Sequence, residues 1–355
     1  MKVGILTSGG DCAGLNAVMS AFAKAMAAIE PKIEICGIIN GYDGLINRKY
    51  RMIKPEDFFD ILKLGGTILG TSRQPYKKLI QVEENTKAAQ MKENYRKMGL
   101  DFLLVLGGQG THKTAAFLSS EGLKIIALPK TIDNDIWGTD FTFGFHSAVN
   151  VATECLDRVQ TTAASHRRVM LVEIMGNKAG WLTLYAGIGG GADIILIPEI
   201  PHDIDKIARA VECVEKQKGF CVIAAAEGAM DKEEALLSKK ERMQKRAEAG
   251  EKTASNRIAK AIEEKLNIET RVVVPGHIQR GGSPSPYDRV ICAQMGAYAA
   301  KLAAERCFGV TVALNSGKIN FNNLADIAGK TKLVTPKHEL VQTARDMGIF
   351  FGELC

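Results

Sequence analysis

The sequence predicts an α/β protein built on mainly parallel sheets, and three observations predict it. Short apolar runs recur along the chain, a glycine-rich or polar loop follows each run, and a helical pattern commonly follows the loop. Apolar runs without alternation fit strands covered by helices on both faces. At ~100–200 residues per domain, a chain of 355 residues has room for two such domains.

The elements follow in order. Val3–Leu6 leads into Thr7-Ser8-Gly9-Gly10-Asp11-Cys12-Ala13-Gly14 and a helix from about Leu15. Phe102–Leu106 leads into Gly107-Gly108-Gln109-Gly110-Thr111 and a helix to about Leu118, and Ile125–Leu128 into Pro129-Lys130-Thr131-Ile132-Asp133-Asn134-Asp135. Val169–Ile174 leads into Met175-Gly176-Asn177-Lys178-Ala179-Gly180 and a helix, whereas Phe220–Ala225 ends at Glu227. Val272–Val274 leads into Pro275-Gly276-His277-Ile278-Gln279-Arg280-Gly281-Gly282-Ser283 and a helix from about Tyr287. Parallel sheets bind ligands beyond the carboxyl ends of their strands, and all six loops lie there, so the topology allows them to converge on one cleft. Met230–Lys265 is highly charged and reads as a surface insertion of helices with solvated faces. The tail after about Lys330 carries no readable pattern.

Composition narrows the function. Hydrophobic residues make up 46% and charged residues 24%, which excludes a disordered or fibrous chain. Glycine is in excess, 35 residues against a usual ~7%, as ligand loops and turns require. The net charge of +6 is not gathered into runs and aromatics are only 6%, so no nucleic-acid partner is expected. The eight cysteines form no CxxC pair or zinc spacing and read as mostly buried, reduced thiols. The most apolar stretch, Trp181–Ile200, contains three consecutive glycines, Asp193 and Pro198, so no membrane span is expected. The chain runs directly into its first strand without a leader, and a cytoplasmic location is expected.

Gly9-Gly10-Asp11 and Gly107-Gly108-Gln109-Gly110-Thr111 read as phosphate cradles: glycine lets backbone N–H groups approach an anion, and the following helix presents its positive N-terminus. Neither matches the dinucleotide fingerprint or the P-loop. Asp133 and Asp135 are two apart on an extended loop, so both carboxylates can face one cleft, one as base for a hydroxyl and the other orienting it or a metal. An isolated Asp-Asn-Asp reads as a turn closed by Asx hydrogen bonds; beside Lys130 and two cradles it reads as chemistry. Arg73, Arg168, Arg271 and Arg280 each sit beside a loop or strand end and together suit a doubly phosphorylated reaction site. Two readings of His277 stand, a sugar-phosphate ligand or a cap for its own loop.

In order and wording, Thr7-Ser8-Gly9-Gly10-Asp11, Pro129–Asp135, Glu173-Ile174-Met175-Gly176 and Pro275–Pro284 resemble the 6-phosphofructokinase family, from residue 1 to about 305 without the charged insertion. The resemblance implies two similar three-layer α/β domains with a cleft between them. It places the phosphoryl donor in 1–144 with 279–332, and fructose 6-phosphate in 145–278 with 333–355. It implies transfer of a phosphoryl group from ATP, with Mg²⁺, to the 1-hydroxyl of fructose 6-phosphate. Asp133 matches the catalytic base, accompanied by Thr131, Asp135, Arg73 and Lys130. Gly10, Arg73, Gly108, Gln109, Gly110 and Thr111 match the donor side. Thr131, Asp133, Arg168, Met175, Gly176, Glu227, Arg271, His277 and Arg280 match the sugar side. Arg168 and Arg271 match residues that reach into a neighbouring subunit, which implies a homo-oligomer, dimer or tetramer.

The chain departs from the family at informative positions. Gln109 stands where the family has an aspartate beside Mg²⁺, and a neutral amide is a weaker ligand for a hard cation. Losing one preorganised electrostatic contact typically costs ~10²–10³ in rate, so a catalytically silent binding or regulatory subunit is an alternative. Gly110 leaves room for the ATP α-phosphate, while Lys130 is shared with pyrophosphate enzymes, so pyrophosphate is the alternative donor. Asn177 replaces an arginine usual after Met-Gly, with Lys178 next to it. Ser20 and Lys24 replace effector-site arginines, so weak or absent control by ADP and phosphoenolpyruvate is expected.

Overall fold

The structure is a computed structural model describing residues 1–80, 86–248, 250 and 253–353; Cys355 and part of the charged insertion lie outside the described residues. Its strands are β1 (Lys2–Ser8), β2 (Glu34–Ile38), β3 (Tyr50–Ile53), β4 (Phe102–Gly107), β5 (Ile125–Pro129), β6 (Val169–Ile174), β7 (Ile194–Leu196), β8 (Cys221–Ala226), β9 (Thr270–Val273), β10 (Val310–Asn315) and β11 (Lys318–Asn323). They fall into two compact units, Met1–Ser147 with Arg280–Lys332, and Ala148–Gln279 with Leu333–Cys355.

The first unit holds a seven-stranded sheet in the order β11-β10-β5-β4-β1-β2-β3. Its five inner strands are parallel, and the two rim pairs, β2–β3 and β10–β11, are antiparallel. Leu6, Leu103, Val105, Ile125 and Ala127 pack on one face with Ala115 and Leu118 of the helix Gln109–Ser120. The alternating residues Val3, Ile5, Leu104 and Ile126 point to the other face and are equally buried. This two-sided burial is why these strands read as unbroken apolar runs. The helices Leu15–Ile29 and Pro286–Ala304 pack closely: a Cβ on Gly296 would lie 2.7 Å from the Val18 carbonyl oxygen. Buried Asp288 ties the second helix down by accepting from the backbone N–H groups of Gly144 (3.0 Å) and Ser147 (2.7 Å).

The second unit is built on an all-parallel sheet, β7-β8-β6-β9. Val169, Leu171, Ile223 and Ala225 form its core with Ile207 and Val211 of the helix Ile204–Lys218. The expectation of a surface insertion over 230–265 needs correction. The helix Ala254–Leu266 buries Ala254, Ile258, Ala259 and Ile262 in that core, an i, i+4 stripe that the surrounding charge conceals. Lys232–Ala235 and Lys239–Glu248 form the true arm. The tail is also structural. Phe350 runs beside β7, its carbonyl accepting from Ile195 N–H (2.8 Å) and its N–H donating to the Asp193 carbonyl (3.0 Å). Of the described cysteines, Cys12, Cys36, Cys221 and Cys292 are buried, Cys155 and Cys307 intermediate, and Cys213 exposed.

A buried charge anchors the arm. Glu234 is 2% exposed and accepts two hydrogen bonds from Arg246 (2.8 and 3.0 Å), while an Arg257 nitrogen lies 2.8 Å away. Burial works to raise the Glu234 carboxyl, but the Arg246 hydrogen bond and the Arg257 charge outweigh it and hold the carboxyl below its usual range. Removing one partner of a buried pair costs ~3–5 kcal/mol; the guanidiniums reach solvent, so Glu234→Gln should cost about 2 kcal/mol at neutral pH. A lowered carboxyl stabilises fully above its unfolded pKa of ~4.3 and loses that effect as pH falls through the folded value. The wild-type advantage in chemical denaturation should therefore vanish under acid conditions.

Candidate active site

The first loop rises from β1 at the centre of its sheet. Gly9 has φ 89°, and Gly10 leaves no space for a side chain: a Cβ there would lie 2.6 Å from Arg280 Nη1 and 3.3 Å from Arg73 Nη2. Arg280 Nη1 donates to the Asp11 carbonyl at 3.0 Å. Gly9 N–H donates to Ser72 O, and Thr71 Oγ1 to Gly9 O, which fixes the segment carrying Arg73. Lys130, 3% exposed, donates its ammonium to the Gly10 carbonyl. Burial is the main cause lowering the Lys130 pKa, and Arg280 adds to it; Cys12, Asp133 and Asp11 oppose. Arg73, Lys130 and Arg280 thus bring three cations to one glycine turn.

The second loop follows β4, the neighbour of β1. Gly108 caps the helix Gln109–Ser120, and Thr111 Oγ1 donates to Ser8 O at 3.5 Å, joining the two loops. A Cβ on Gly110 would meet nothing within 4 Å. His112 is buried between Gly108 O and Thr311 Oγ1, and burial pushes its pKa down to about 4, so it stays neutral. Gln109 donates its amide to Lys330 O (3.0 Å) and to Thr331 Oγ1. Its side chain braces the 330–331 segment, and its bond to Lys330 O is one that a carboxylate, lacking a donor, could not make.

The carboxylate loop follows β5. Asp133 N–H donates to Thr131 Oγ1 at 3.0 Å. Asn134 takes the left-handed conformation (φ 51°) and holds the loop, donating to Asp140 O and accepting from Thr142 N–H. The turn role therefore falls to Asn134, and Asp133 and Asp135 flank it. Burial is the main influence on Asp135 and raises its carboxyl, against the opposing pull of Lys130 and Lys332. Lys332 was not singled out in the sequence. It donates to Thr139 O and Asp140 O, and burial lowers its pKa to about 8. Gly10, Arg73, Lys130, Thr131, Asp133, Asp135 and Arg280 all lie in the first unit, around the carboxyl ends of β1, β4 and β5.

In the second unit, Gly176 (φ 149°) turns the chain after β6, and a Cβ there would lie 2.5 Å from Ala179 O. Glu227 Oε1 accepts from the N–H groups of Gly176 (3.3 Å) and Asn177 (2.7 Å). Gln279 Oε1 accepts from Met175 N–H at 3.2 Å, and its amide donates to Gly276 O. Gln279, passed over in the sequence, closes the 276–279 loop; exposed His277 makes no side-chain hydrogen bond among the described residues. Arg168 and Arg271 lie elsewhere, at the amino end of β6 and β9, both gripping Glu269. At ~3.3 Å per residue, Arg168 and Met175 sit roughly 20 Å apart along the strand. One chain does not bring these arginines together with Met175, Gly176 and Glu227. Ser20 is buried and donates to Phe59 O, and Lys24 lies over the Phe59 ring.

Residues 2–303 match the family model described as phosphofructokinase. The chain belongs to the phosphofructokinase family. An ATP-dependent 6-phosphofructokinase of Spirochaeta thermophila is 50% identical over 99% of this chain and 97% of its own length. Among solved phosphofructokinases, the Saccharomyces cerevisiae enzyme superposes with TM-score 0.76 at 29% identity, over 92% of this chain but 45% of that one. A pyrophosphate-dependent enzyme from Marinobacter aquaeolei gives TM-score 0.82 at 20% identity, over 99% and 92%, a likeness of fold alone. No helix among the described residues is long and apolar enough to cross a membrane.

Because a methyl group on Gly10 would displace Arg280, Gly10→Ala should weaken binding of inorganic triphosphate at least tenfold in calorimetry while leaving the thermal midpoint within about 2 °C. Unchanged binding would remove the glycine turn from the anion site.

Proposed function

We propose that this phosphofructokinase-family chain transfers the γ-phosphoryl group of ATP to the 1-hydroxyl of fructose 6-phosphate, giving fructose 1,6-bisphosphate in cytoplasmic glycolysis. The observation that carries the reading is the convergence of Arg73, Lys130 and Arg280 on Gly10, in the unit that also holds the Thr131–Asp135 loop. Phosphoryl transfer asks little covalent chemistry of a protein; it asks for positioning, charge neutralisation and a base.

Asp133 takes the proton from the 1-hydroxyl as the oxygen attacks, a contribution of ~10²–10⁴. Thr131 holds the backbone of that aspartate through its hydroxyl. Gly10, Gly108, Gly110 and Thr111 offer backbone N–H groups to the donor phosphates. The three cations offset charge gathering on the transferred group. Mg²⁺ is commonly held by one or two carboxylates together with substrate phosphates, and the Asp133–Asp135 pair fits that donor set. The ion would neutralise phosphate charge there, with Asp135 as its protein ligand, while Gln109 holds the 330–331 segment instead. Met175, Gly176, Glu227 and His277 bind the sugar phosphate. Arg168 and Arg271 are supplied by a neighbouring copy in a dimer or tetramer, consistent with their place at the far end of their own sheet.

ATP is favoured over pyrophosphate by the open space around Gly110 and by the ATP-dependent relative. The intact Asp133 loop disfavours a silent subunit. Initial rates with fructose 6-phosphate and Mg²⁺ test the reading: turnover with ATP and at most a few per cent of it with pyrophosphate. Asp133→Asn should lower kcat by about 10³ or more with sugar binding retained. Gly110→Asp should lower kcat/KM for ATP about 100-fold without unfolding, since the new side chain meets open space. Turnover with pyrophosphate alone would overturn the choice of donor, and turnover with neither would overturn the catalytic reading.

A further inference from the structure

The carboxyl ends of β6, β7 and β8 open into a cavity of about 530 Å³, within the usual size of small-molecule sites. Its floor is Asn177 after β6, Pro198 and Glu199 after β7, and Glu227 after β8. The helix Lys239–Glu248 forms its roof, with Arg242, Met243 and Arg246 facing inward. His277 and Gln279, beyond β9 at the other edge of the sheet, do not line it. The arm that the sequence left without a role is thus one wall of a cavity open to solvent.

The charges in this cavity are not equivalent. Arg246 is committed to Glu234 and to Ala229 O, so it anchors the roof. Glu199 accepts from the Gly180 and Val334 N–H groups, and Glu227 from Gly176 and Asn177. Burial raises the Glu199 carboxyl, against the opposing hydrogen bonds from the Gly180 and Val334 N–H groups. Lys178 and Arg242 remain. Neither has a carboxylate partner among the described residues, and the recorded side-chain contact of Arg242 is to Met230 Sδ. An ammonium beside a guanidinium fork suits a phosphate group, and Met230, Met243 and Leu333 offer an apolar surface to the carbon part of a ligand.

We propose that this cavity is a second phosphate-binding site, in which Lys178 and Arg242 hold the phosphate of a small organic phosphate. The site is separate from the sugar-binding residues but touches them through Glu227, whose carboxylate fixes the Gly176 and Asn177 amides. A ligand here therefore bears on the Met175–Asn177 turn. That coupling rests on the sugar-site reading above; the binding itself does not.

Inorganic phosphate is the probe, titrated calorimetrically into the full chain at matched ionic strength. Arg242→Ala and Lys178→Ala, from separate elements, should each weaken one phosphate-binding event at least tenfold, with Arg242→Lys keeping most of it. Ligand-free thermal midpoints should match wild type, since both side chains reach solvent. Without phosphate, the KM for fructose 6-phosphate should stay within twofold in Arg242→Ala. Isotherms identical to wild type in both alanine variants would overturn the site. A tenfold rise in that KM without phosphate would place Arg242 in the sugar site and overturn the separation. Absence of turnover in the wild type would fall on the proposed activity alone, because the isotherms are read without it.

Discussion

Burying an ammonium group is costly, and the candidate site of the first unit is arranged around one. Lys130 leaves β5 with almost no solvent exposure and places its charge on the Gly10 carbonyl, the turn that ends β1. An unpartnered buried cation would lose its proton or unfold the site. Here the carbonyl and the nearby Asp11 and Asp133 oppose the burial, while Arg280 pushes the other way. The position of Lys130 constrains Gly10, and Gly10 constrains Arg280 and Arg73, since there is no room for a side chain between them. The turn conformation, the arginine positions and the carboxylate loop therefore stand or fall together.

Much of this was legible because buried parallel strands leave a strong trace. β1, β4, β5, β6 and β8 appear as unbroken apolar runs, and β6 lies at the residues its run marks. The rim strands leave little trace: β3 is mostly exposed, and β11, Lys-Ile-Asn-Phe-Asn-Asn, has only one covered neighbour. β7 is three residues long and merges with its surroundings. The helix Ala254–Leu266 was hidden for a different reason: a narrow apolar stripe sat inside a segment dominated by its charged face.

The site residues divide in the same way. Glycine loops after strands, Asp133, Asp135 and Lys130 stand out as candidates because their loops follow neighbouring strands and ligands bind beyond the carboxyl ends of such strands. Gln109, Gln279 and Lys332 could not be read correctly, since each acts through a hydrogen bond to backbone distant in sequence, at Lys330, Met175 and Asp140. No local pattern encodes those partners. The split between Arg168 with Arg271 and the Met175 turn is likewise a matter of strand direction and register, visible only once β6 and β9 are paired.

The tail has a consequence of another kind. β7 is the outer strand of its sheet, and a bare outer strand offers unpaired N–H and C=O groups to any other extended chain. Phe350 takes up that edge through its hydrogen bonds to Ile195 and Asp193, and Phe351 is buried beside it. The segment around Phe350 is thus the piece that closes the sheet against foreign strands. Proteolytic loss of the 350–351 segment would expose that edge as a template for aggregation in a protein whose β1, β4 and β5 loops are untouched.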